Sequence, residues 1–334
     1  SNVNFPLIPI TFTGGEDLMH EMKNIAVIGT GVIGSGWVTL FAMKGYSVSA
    51  YSRKAETRAR GLKAVCTNLD FLMSKGVISE HAKKLSLERI TTAGEISEAI
   101  RNADFIVEAT ADSYEIKKPI FRDIDKYSPE DAILTSSSSG LDPNEIQKAI
   151  ARKDKCLIAH PWNPPHLIPL VEIVPGELTS GDTVSKTVEL MERLGKIPVI
   201  VRKAVPGYIG NRLAAALWRE AIHLVKEGVA TVEDVDKALY AGPGIRWAFM
   251  GPHLIYHLGG GETGGIGHFI DGIGNTTFKS IWQDLATWDH ITDSMKDALI
   301  KGVREEMKGR SFADTAKLRD DRLIDLLKII YSGS

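Results

Sequence analysis

Short apolar runs alternate with helical segments along the first part of the chain. The apolar runs cover residues 24–28, 47–51, 104–108, 132–135, 156–159, 170–174 and 197–201. Helical segments are predicted for residues 37–43 and 55–75, and Asp142-Pro143 is typical of an N-cap with proline at the first helical position, opening a helix to about Ala151. Strands that alternate with helices favour parallel pairing, so this part is predicted to form an open, doubly wound α/β sheet.

The pattern changes at Pro206-Gly207 and then indicates helices up to the end of the chain. Apolar residues recur every three or four positions, at Leu213, Ala216, Leu217, Ile222 and Val225. Gly228 is expected to end this helix and Thr231 to cap the next, followed by three further helical segments, the last near residues 313–330. Glycines crowd residues 259–274, which are predicted to form a mobile loop or a broken helix.

These two patterns predict two domains, which a chain of 334 residues can accommodate. We place a doubly wound α/β domain at residues 23–204 and an all-helical domain at residues 205–330. Residues 1–22 fit neither pattern and are interpreted as a tail or the remnant of a tag.

Three glycines follow the first apolar run, in the spacing Gly29-x-Gly31-x-x-Gly34. In a strand that turns directly into a helix, the first glycine permits the tight turn and the second allows close approach of a pyrophosphate. The third lets the helix pack on the strand. The free N–H groups at the start of the helix favour phosphate binding. The motif therefore predicts a dinucleotide site of the Rossmann type, with Val32 and Ile33 among its contacts.

Composition excludes several other classes of protein. The 40 Lys and Arg residues nearly balance the 42 Asp and Glu residues, so nothing indicates a nucleic acid or an anionic membrane as partner. No apolar run is long enough to span a membrane, and residues 1–21 lack the pattern of a signal peptide. The two cysteines, Cys66 and Cys156, have no metal-ligand spacing and suit a reducing compartment, so we predict a cytoplasmic protein without a metal.

Two further motifs make the chain recognisable. They are His160-Pro161-Trp162-Asn163-Pro164 with Leu170-Val171-Glu172, and Pro206-Gly207-Tyr208-Ile209-Gly210-Asn211-Arg212. Together with the glycine motif they resemble the 3-hydroxyacyl-CoA dehydrogenase superfamily, whose pattern is His-x-x-Asn-Pro, Leu-Val-Glu and Pro-Gly-Phe-x-x-Asn-Arg. The resemblance extends from residue 23 to about residue 255.

The resemblance implies a role for each matching position. It makes His160 the catalytic base, Glu172 the carboxylate that orients it, Ser139 the residue that holds the substrate oxygen, and Asn211 a neighbour of the reacting carbonyl. It makes Asn163 and Lys117 coenzyme contacts, and it places Asp112 where the family usually has Glu. It also implies a homodimer formed through the helical domain.

The chemistry of these residue types supports the same roles. Oxidation of a secondary alcohol removes the O–H proton while a hydride leaves the carbon for nicotinamide. An imidazole, with an unperturbed pKa of about 6.5, can accept that proton near neutral pH. Structural roles remain open: His160 could cap a strand end, Ser139 could lie in a plain turn, and Asn211 could brace a helix.

The end of the second strand departs from the family at the coenzyme site. NAD-binding relatives have an acidic residue there, which bonds the ribose hydroxyls. This chain has Ser52, followed by Arg53 and Lys54. Loss of the acid removes repulsion of a 2′-phosphate, and the basic residues attract it, so the coenzyme is NAD or NADP, with NADP accepted or preferred. The alternative is a solvated basic turn.

A second departure concerns the substrate. Residues 242–252 contain Arg246-Trp247 and look like the branch of the family with L-carnitine dehydrogenase and L-gulonate 3-dehydrogenase (lambda-crystallin); Arg319-Asp320-Asp321 suits the carnitine enzymes better. Arg246 can bind a substrate carboxylate with two hydrogen bonds. Trp247 is a candidate for an aromatic cage around a trimethylammonium group, with Phe249, Tyr256 and Trp162. Ordinary core packing is the alternative for the aromatic residues.

We therefore predict an oxidoreductase that transfers a hydride between a small L-3-hydroxy acid and NAD(P). The resemblance makes L-carnitine, oxidised to 3-dehydrocarnitine, the first candidate, with L-gulonate or a short-chain 3-hydroxyacyl-CoA as alternatives. A different class is a non-catalytic protein that keeps the dinucleotide fold as a sensor or structural component.

Overall fold

The fold is described by a computed structural model, which covers residues 22–331. The predicted tail or tag remnant at residues 1–22 lies, except for Met22, outside these described residues. The described chain divides into two compact units. The first runs up to Arg212 and includes the chain from Leu323 onward, and the second is Leu213–Arg322.

The first unit is built on one eight-stranded sheet with the strand order β3-β2-β1-β4-β5-β6-β7-β8. Its strands are β1 (Asn24–Ile28), β2 (Ser47–Tyr51), β3 (Ile90–Thr92), β4 (Phe105–Glu108), β5 (Ile133–Ser136), β6 (Cys156–Pro161), β7 (Leu170–Pro175) and β8 (Ile197–Ile200). Seven strands lie close to the predicted apolar runs, which confirms the doubly wound α/β class. The short strand β3, which pairs with β2, was not predicted, because it does not coincide with an apolar run.

Seven α-helices connect these strands. They are α1 (Val32–Met43), α2 (Ala55–Ser74), α3 (Glu80–Glu88), α4 (Ile96–Ile100), α5 (Tyr114–Tyr127), α6 (Pro143–Gln147) and α7 (Gly181–Arg193). Asp142 caps α6 as predicted, because its side chain accepts a hydrogen bond from the Asn144 N–H. The helix is shorter than predicted and ends at Gln147.

One strand pair contradicts the expectation of parallel pairing. Strand β7 runs antiparallel to β6, whereas β8 is parallel to β7. The reason is the connection: a parallel neighbour needs a crossover, usually a helix, and residues 162–169 between β6 and β7 contain none. The polypeptide therefore reverses direction immediately after β6.

Both faces of the sheet are buried. Ile25 and Val27 pack in one apolar cluster with Trp37, Phe41 and the helices α1 and α7. The alternate residues of β1 point into the opposite cluster, which includes α5 and α6. Full burial of each large side chain stabilises the fold by about 1.5–3 kcal/mol. The packed core therefore holds the carboxyl ends of the strands in fixed positions.

The second unit is helical, as predicted. Its helices, with the two that continue into the first unit, are α8 (Gly210–Lys226), α9 (Val232–Ala241), α10 (Pro243–Trp247), α11 (Pro252–Gly259), α12 (Gly265–Phe269), α13 (Lys279–Asp284), α14 (Asp293–Met307) and α15 (Phe312–Tyr331). A π-helix, Ile270–Phe278, joins α12 to α13, so the glycine-rich residues form a broken helix. Thr231 caps α9 as predicted. The expectation of three segments after α9 was wrong, since glycines and prolines divide this stretch further.

None of the helices between residues 22 and 331 is both long and apolar enough to cross a membrane.

Candidate functional site

The turn between β1 and α1 allows very close approach of its backbone segments. Gly29 has φ 98°, in the left-handed region that favours glycine. A Cβ atom at Gly34 would lie 1.7 Å from the carbonyl oxygen of Gly29, so only glycine fits there. A Cβ atom at Gly31 would meet nothing within 4 Å, and its backbone therefore faces open space. Val32 and Ile33 follow in the first turn of α1.

A groove of about 700 Å³ lies beside this turn, at the carboxyl ends of β1, β2 and β4. Its wall includes the turn glycines, Ser52, Arg53 and several apolar residues of α4 and α5. Open backbone at Gly31, unsatisfied N–H groups at the start of α1 and an apolar wall fit a dinucleotide. Among the described residues, no group of three or more His, Cys, Asp or Glu side chains could hold a metal ion.

The residues after β2 divide between structural and exposed positions. The Ser52 hydroxyl is buried and accepts a hydrogen bond from the Thr30 N–H at 2.8 Å. Arg58 donates from Nη1 to the Ser52 carbonyl oxygen at 2.6 Å. Arg53 and Lys54 are exposed and line the groove. Positive charge at this edge of the groove therefore comes from Arg53 and Lys54, while Ser52 braces the glycine turn.

Lys117, predicted to contact the coenzyme, lies in a buried ion pair. Its Nζ is 2.7 Å from Oε2 of Glu108, and the two side chains are 1% and 0% exposed. Glu108 also accepts hydrogen bonds from the Ser136 hydroxyl at 2.8 Å and the Thr110 N–H at 2.7 Å. These donors offset the cost of burying the carboxylate. In this structure Lys117 neutralises Glu108, and its contact with a coenzyme stays a prediction.

His160 and Glu172 face each other across the antiparallel strands β6 and β7, where they are register partners. Nδ1 of His160 lies 2.8 Å from Oε2 of Glu172. The side chains are 8% and 1% exposed. The pairing that departs from the predicted parallel sheet thus brings together the two residues that the sequence predicted as base and orienting carboxylate.

Glu172 is held by several donors. Its Oε1 accepts hydrogen bonds from the N–H groups of Ile209 and Gly210, at 2.8 and 2.9 Å, where α8 begins. Burial alone would raise the pKa of Glu172, but the hydrogen bonds from His160 and from these two N–H groups lower it below its ordinary value. An ionised carboxylate only accepts hydrogen bonds, so Nδ1 of His160 carries the hydrogen and Nε2 has the free lone pair.

Ser139, Asp112 and Asn211 form a second group. Asp112 accepts hydrogen bonds from the Ser139 N–H at 3.0 Å and from the Ser139 hydroxyl at 2.9 Å. Asn211 donates from Nδ2 to the Ser139 carbonyl oxygen at 3.1 Å. Burial would raise the pKa of Asp112, but hydrogen bonds from Ser138 and Ser139 and the charge of Lys117 lower it. The Ser139 hydroxyl therefore donates its hydrogen to a hydrogen bond with the ionised Asp112, and its oxygen offers lone pairs to a ligand.

Aromatic rings flank the imidazole of His160. The Tyr208 ring lies 5.7 Å from it, edge to face, and the Trp162 ring lies 6.4 Å from it. The indole N–H of Trp162 also points to Oε2 of Glu172, at 3.5 Å. Asn163 follows Trp162 at an exposed position and is joined to Pro164 by a cis peptide bond. Its contact with a coenzyme stays a prediction.

The two predicted substrate residues lie in the second unit. Arg246 and Trp247 end α10, and both are exposed. Among residues 22–331 the Arg246 guanidinium has no salt bridge or hydrogen-bond partner, which leaves its charge available to an anion. Tyr256, another candidate for an aromatic cage, stacks on Phe269 at 4.9 Å and meets Phe278 at 5.5 Å, so its ring belongs to an aromatic cluster.

Sequence reasoning missed four residues that support these groups: Thr30, Arg58, Glu108 and Tyr208. Glu108 carried a signal, because an acid at the end of an otherwise apolar strand needs a buried partner. Thr30 lies in the glycine motif and Tyr208 in the motif at residues 206–212, but the contacts of Thr30, Arg58 and Tyr208 join distant parts of the chain, and no local pattern indicates them.

Comparison with known proteins identifies relatives over both units. Residues 24–205 match the family model of the NAD binding domain of 3-hydroxyacyl-CoA dehydrogenase, and residues 207–302 match that of its C-terminal domain. L-carnitine dehydrogenase of Oceanobacillus iheyensis is 37% identical over 309 residues, which cover 92% of this chain and 98% of that protein. L-carnitine dehydrogenase of Pseudomonas putida is 38% identical over 313 residues, which cover 94% of this chain and 95% of that protein.

A solved structure gives a similar result. The structure of 5-formyl-3-hydroxy-2-methylpyridine 4-carboxylic acid 5-dehydrogenase, an NAD+ dependent dismutase, aligns with a TM-score of 0.74 at 28% identity. The alignment covers 94% of this chain and 99% of that chain. The similarity therefore includes the helical part as well as the sheet.

Proposed function

Because this chain belongs to the 3-hydroxyacyl-CoA dehydrogenase family and is an NAD-dependent dehydrogenase that acts on a CH–OH group, we propose that it oxidises a small L-3-hydroxy acid. L-carnitine is the first candidate substrate and 3-dehydrocarnitine the product. The identity of 37–38% to two L-carnitine dehydrogenases, over more than nine-tenths of the chain, supports this choice. The observation that carries the catalytic part is the buried His160–Glu172 pair.

In the proposed reaction, Nε2 of His160 accepts the proton of the substrate hydroxyl. Glu172 orients the ring and stabilises the imidazolium that forms, because its carboxylate remains ionised. NAD(P), when bound along the glycine turn, supplies the hydride acceptor. We assign Asn211 and Ser139 to holding the reacting oxygen, with the amide of Asn211 as the donor, since the Ser139 hydroxyl already donates its hydrogen bond to Asp112.

A substrate panel tests the function. We expect reduction of the coenzyme, followed by absorbance, with L-carnitine and weaker or no reduction with L-gulonate, 3-hydroxybutyrate and 3-hydroxybutyryl-CoA. Highest kcat/KM with L-gulonate or the acyl-CoA would replace carnitine with that substrate. Coenzyme binding without turnover of any panel member would support the alternative class, a sensor or structural protein.

We expect Arg246→Ala to raise KM for a carboxylate substrate by about tenfold or more, because a bidentate ion pair with the carboxylate would be lost. The exposed position of the guanidinium supports this assignment. Initial rates at saturating coenzyme measure the effect, and Arg304→Ala, at an exposed position of α14, is the matched control. An unchanged KM in Arg246→Ala removes Arg246 from the substrate site.

We propose that the enzyme accepts NADP in addition to NAD, or prefers it. The exposed cations Arg53 and Lys54 at the edge of the groove support this, although Glu115 and Asp123 line the same groove. The ratio of kcat/KM for the two coenzymes measures the preference, and the double variant Arg53→Ala/Lys54→Ala should shift it toward NAD. A wild-type preference for NAD of more than about tenfold, or about 1.4 kcal/mol, contradicts the proposal.

We also propose a homodimer formed through the helical unit. Most large apolar side chains of that unit are exposed, among them Leu213 at 64%, Trp218 at 58% and Trp282 at 62%. Exposed apolar surface on this scale marks an interface. Sedimentation velocity should give twice the 36.5 kDa of one chain, and Trp218→Glu should shift the protein toward the monomer. A wild-type monomer at micromolar concentration would exclude the dimer.

A cytoplasmic location is the remaining proposal. It is supported by two free cysteines, Cys66 at an intermediate position and Cys156 in the core. Burial raises the pKa of the Cys156 thiol, which keeps it protonated and unreactive. Unpaired cysteines of this kind are common in reducing compartments.

A further inference from the structure

Tyr208 has an unusual backbone for a buried tyrosine. It lies at φ 48°, directly after Gly207 at φ 76°, and its side chain is only 1% exposed. A residue other than glycine costs about 1–3 kcal/mol in the left-handed region and persists only where its surroundings require it.

The turn at Gly207 and Tyr208 places two backbone N–H donors within hydrogen-bond distance of Glu172, the partner of His160. Immediately after Tyr208, the N–H groups of Ile209 and Gly210 bind Oε1 of Glu172. The opposite oxygen, Oε2, is the one that holds His160. The backbone conformation at Tyr208 therefore supports the orientation of the carboxylate.

The hydroxyl of Tyr208 ties down a second part of the site. It donates to the carbonyl oxygen of Leu141 at 2.7 Å. Burial raises the pKa of the Tyr208 phenol, so the group remains a donor at physiological pH. Leu141 ends the loop that carries Ser139, and Asn211 binds the carbonyl oxygen of Ser139 in the same loop. The loop is thus held at two points by residues close together at the start of α8.

The ring of Tyr208 acts on the imidazole itself. Its centroid is 5.7 Å from that of His160, at an interplanar angle of 61°. The Trp162 ring, whose centroid is 6.4 Å from that of His160, lies against the same imidazole. Together the two rings restrict rotation of the imidazole away from its hydrogen bond with Glu172 and limit access of water to it.

We propose that Tyr208 is a positioning residue for the dehydrogenase reaction, with two separable actions. Its hydroxyl fixes the loop 137–141, and its ring confines the imidazole of His160. The proposal rests on the function proposed above for His160 and Glu172. Tyr208 contacts His160 and the loop of Ser139 directly, and the two residues that follow it bind Glu172, so its position is coupled to the geometry of all three residues.

Two variants separate the actions. Tyr208→Phe removes only the hydroxyl and should lower kcat about fivefold, the effect of one hydrogen bond, with KM for the coenzyme unchanged within about twofold. Tyr208→Leu also removes the ring and should lower kcat about 100-fold.

Thr187→Val is the matched control. Thr187 is fully buried in α7, and its hydroxyl donates to the Thr183 carbonyl oxygen at the same 2.7 Å. Its loss should lower the melting temperature about as much as Tyr208→Phe does, without changing kcat. If Thr187→Val and Tyr208→Phe change kcat equally, Tyr208 is an ordinary stabilising residue and the proposal is overturned.

Hydrogen–deuterium exchange provides a readout that does not need a substrate. In the wild-type protein we expect slow exchange in a peptide that covers residues 137–141, and faster exchange there in Tyr208→Phe but not in Thr187→Val. If the wild-type protein turns over no substrate of the panel, the proposed function fails, and this exchange still tests the anchoring of the loop. Unchanged exchange in Tyr208→Phe overturns the role of the hydroxyl.

Discussion

Replacement of His160 by glutamine should lower kcat about 10³-fold, the largest loss that we expect from any single substitution of comparable size. The glutamine amide can form hydrogen bonds but cannot accept the proton of the substrate hydroxyl. The buried position of His160, at 6% exposure, leaves little room for water to substitute as the base. Steady-state kinetics with the best substrate of the panel measure the loss.

The matched control for this prediction is His81→Gln. His81 is exposed on α3, at a position to which we assign no catalytic role, and its replacement should leave kcat unchanged. Coenzyme affinity, measured by fluorescence titration, should be equal in both variants because the glycine turn is intact. If His160→Gln retains more than about a tenth of wild-type kcat, His160 is not the base.

Replacement of Glu172 should lower kcat by a factor similar to that of His160→Gln and should also affect stability. In Glu172→Gln, the amide oxygen can still accept from Ile209 and Gly210, but the NH2 group then meets the hydrogen on Nδ1 of His160. The imidazole must move its hydrogen to Nε2, which leaves the wrong tautomer for a base. We expect a loss of about 10³-fold in kcat, with KM for the coenzyme preserved.

Glu172→Ala tests stability as well. It leaves the buried donors of Ile209, Gly210 and His160 without their acceptor, and we expect a loss of about 3 kcal/mol in the free energy of unfolding. Urea titration measures this loss, and Glu192→Gln, at an exposed position of α7, is the control. A stability equal to that of the wild type would mean that Glu172 is not buried among these donors.

The dependence on pH follows from the lowered pKa of Glu172. A carboxyl whose folded pKa lies below its unfolded value, about 4.3, stabilises the fold at pH values above that unfolded value. This contribution is lost as the pH falls through the lower, folded pKa. We expect the difference in unfolding free energy between wild type and Glu172→Gln to shrink as the pH falls below about 4.

The local sequence was sufficient for the main secondary structure. The glycine turn, the cap at Asp142 and most strands were predicted correctly, because they depend on residues within one or two turns of each other. The same holds for the sharp change to helices after Pro206-Gly207. Resemblance to a family supplied the candidate residues His160 and Glu172, whose catalytic roles stay predictions.

Local patterns gave no information where a contact joins distant segments. Strand β3 has only three residues, of which only Ile90 is apolar, and it exists because β2 offers it a free edge. No local pattern indicated the ion pair of Lys117 with Glu108, and the predicted contact of Lys117 with the coenzyme stays a prediction. The apolar periodicity predicted the helix α8 but not what its apolar residues contact, and Leu213 and Leu217 are exposed within the single chain.

By itself, then, the sequence determined the class of fold, the dinucleotide turn and the residue types available for catalysis. Only the tertiary structure decided that β7 reverses against β6 and so sets Glu172 opposite His160. It also decided that Asp112 accepts a hydrogen bond from the Ser139 hydroxyl and that Tyr208 lies against the imidazole. The physical reason is that helix periodicity and turns arise from interactions between neighbouring residues. Strand register and buried hydrogen bonds depend instead on which distant segments of the chain pack against each other and bury the groups between them.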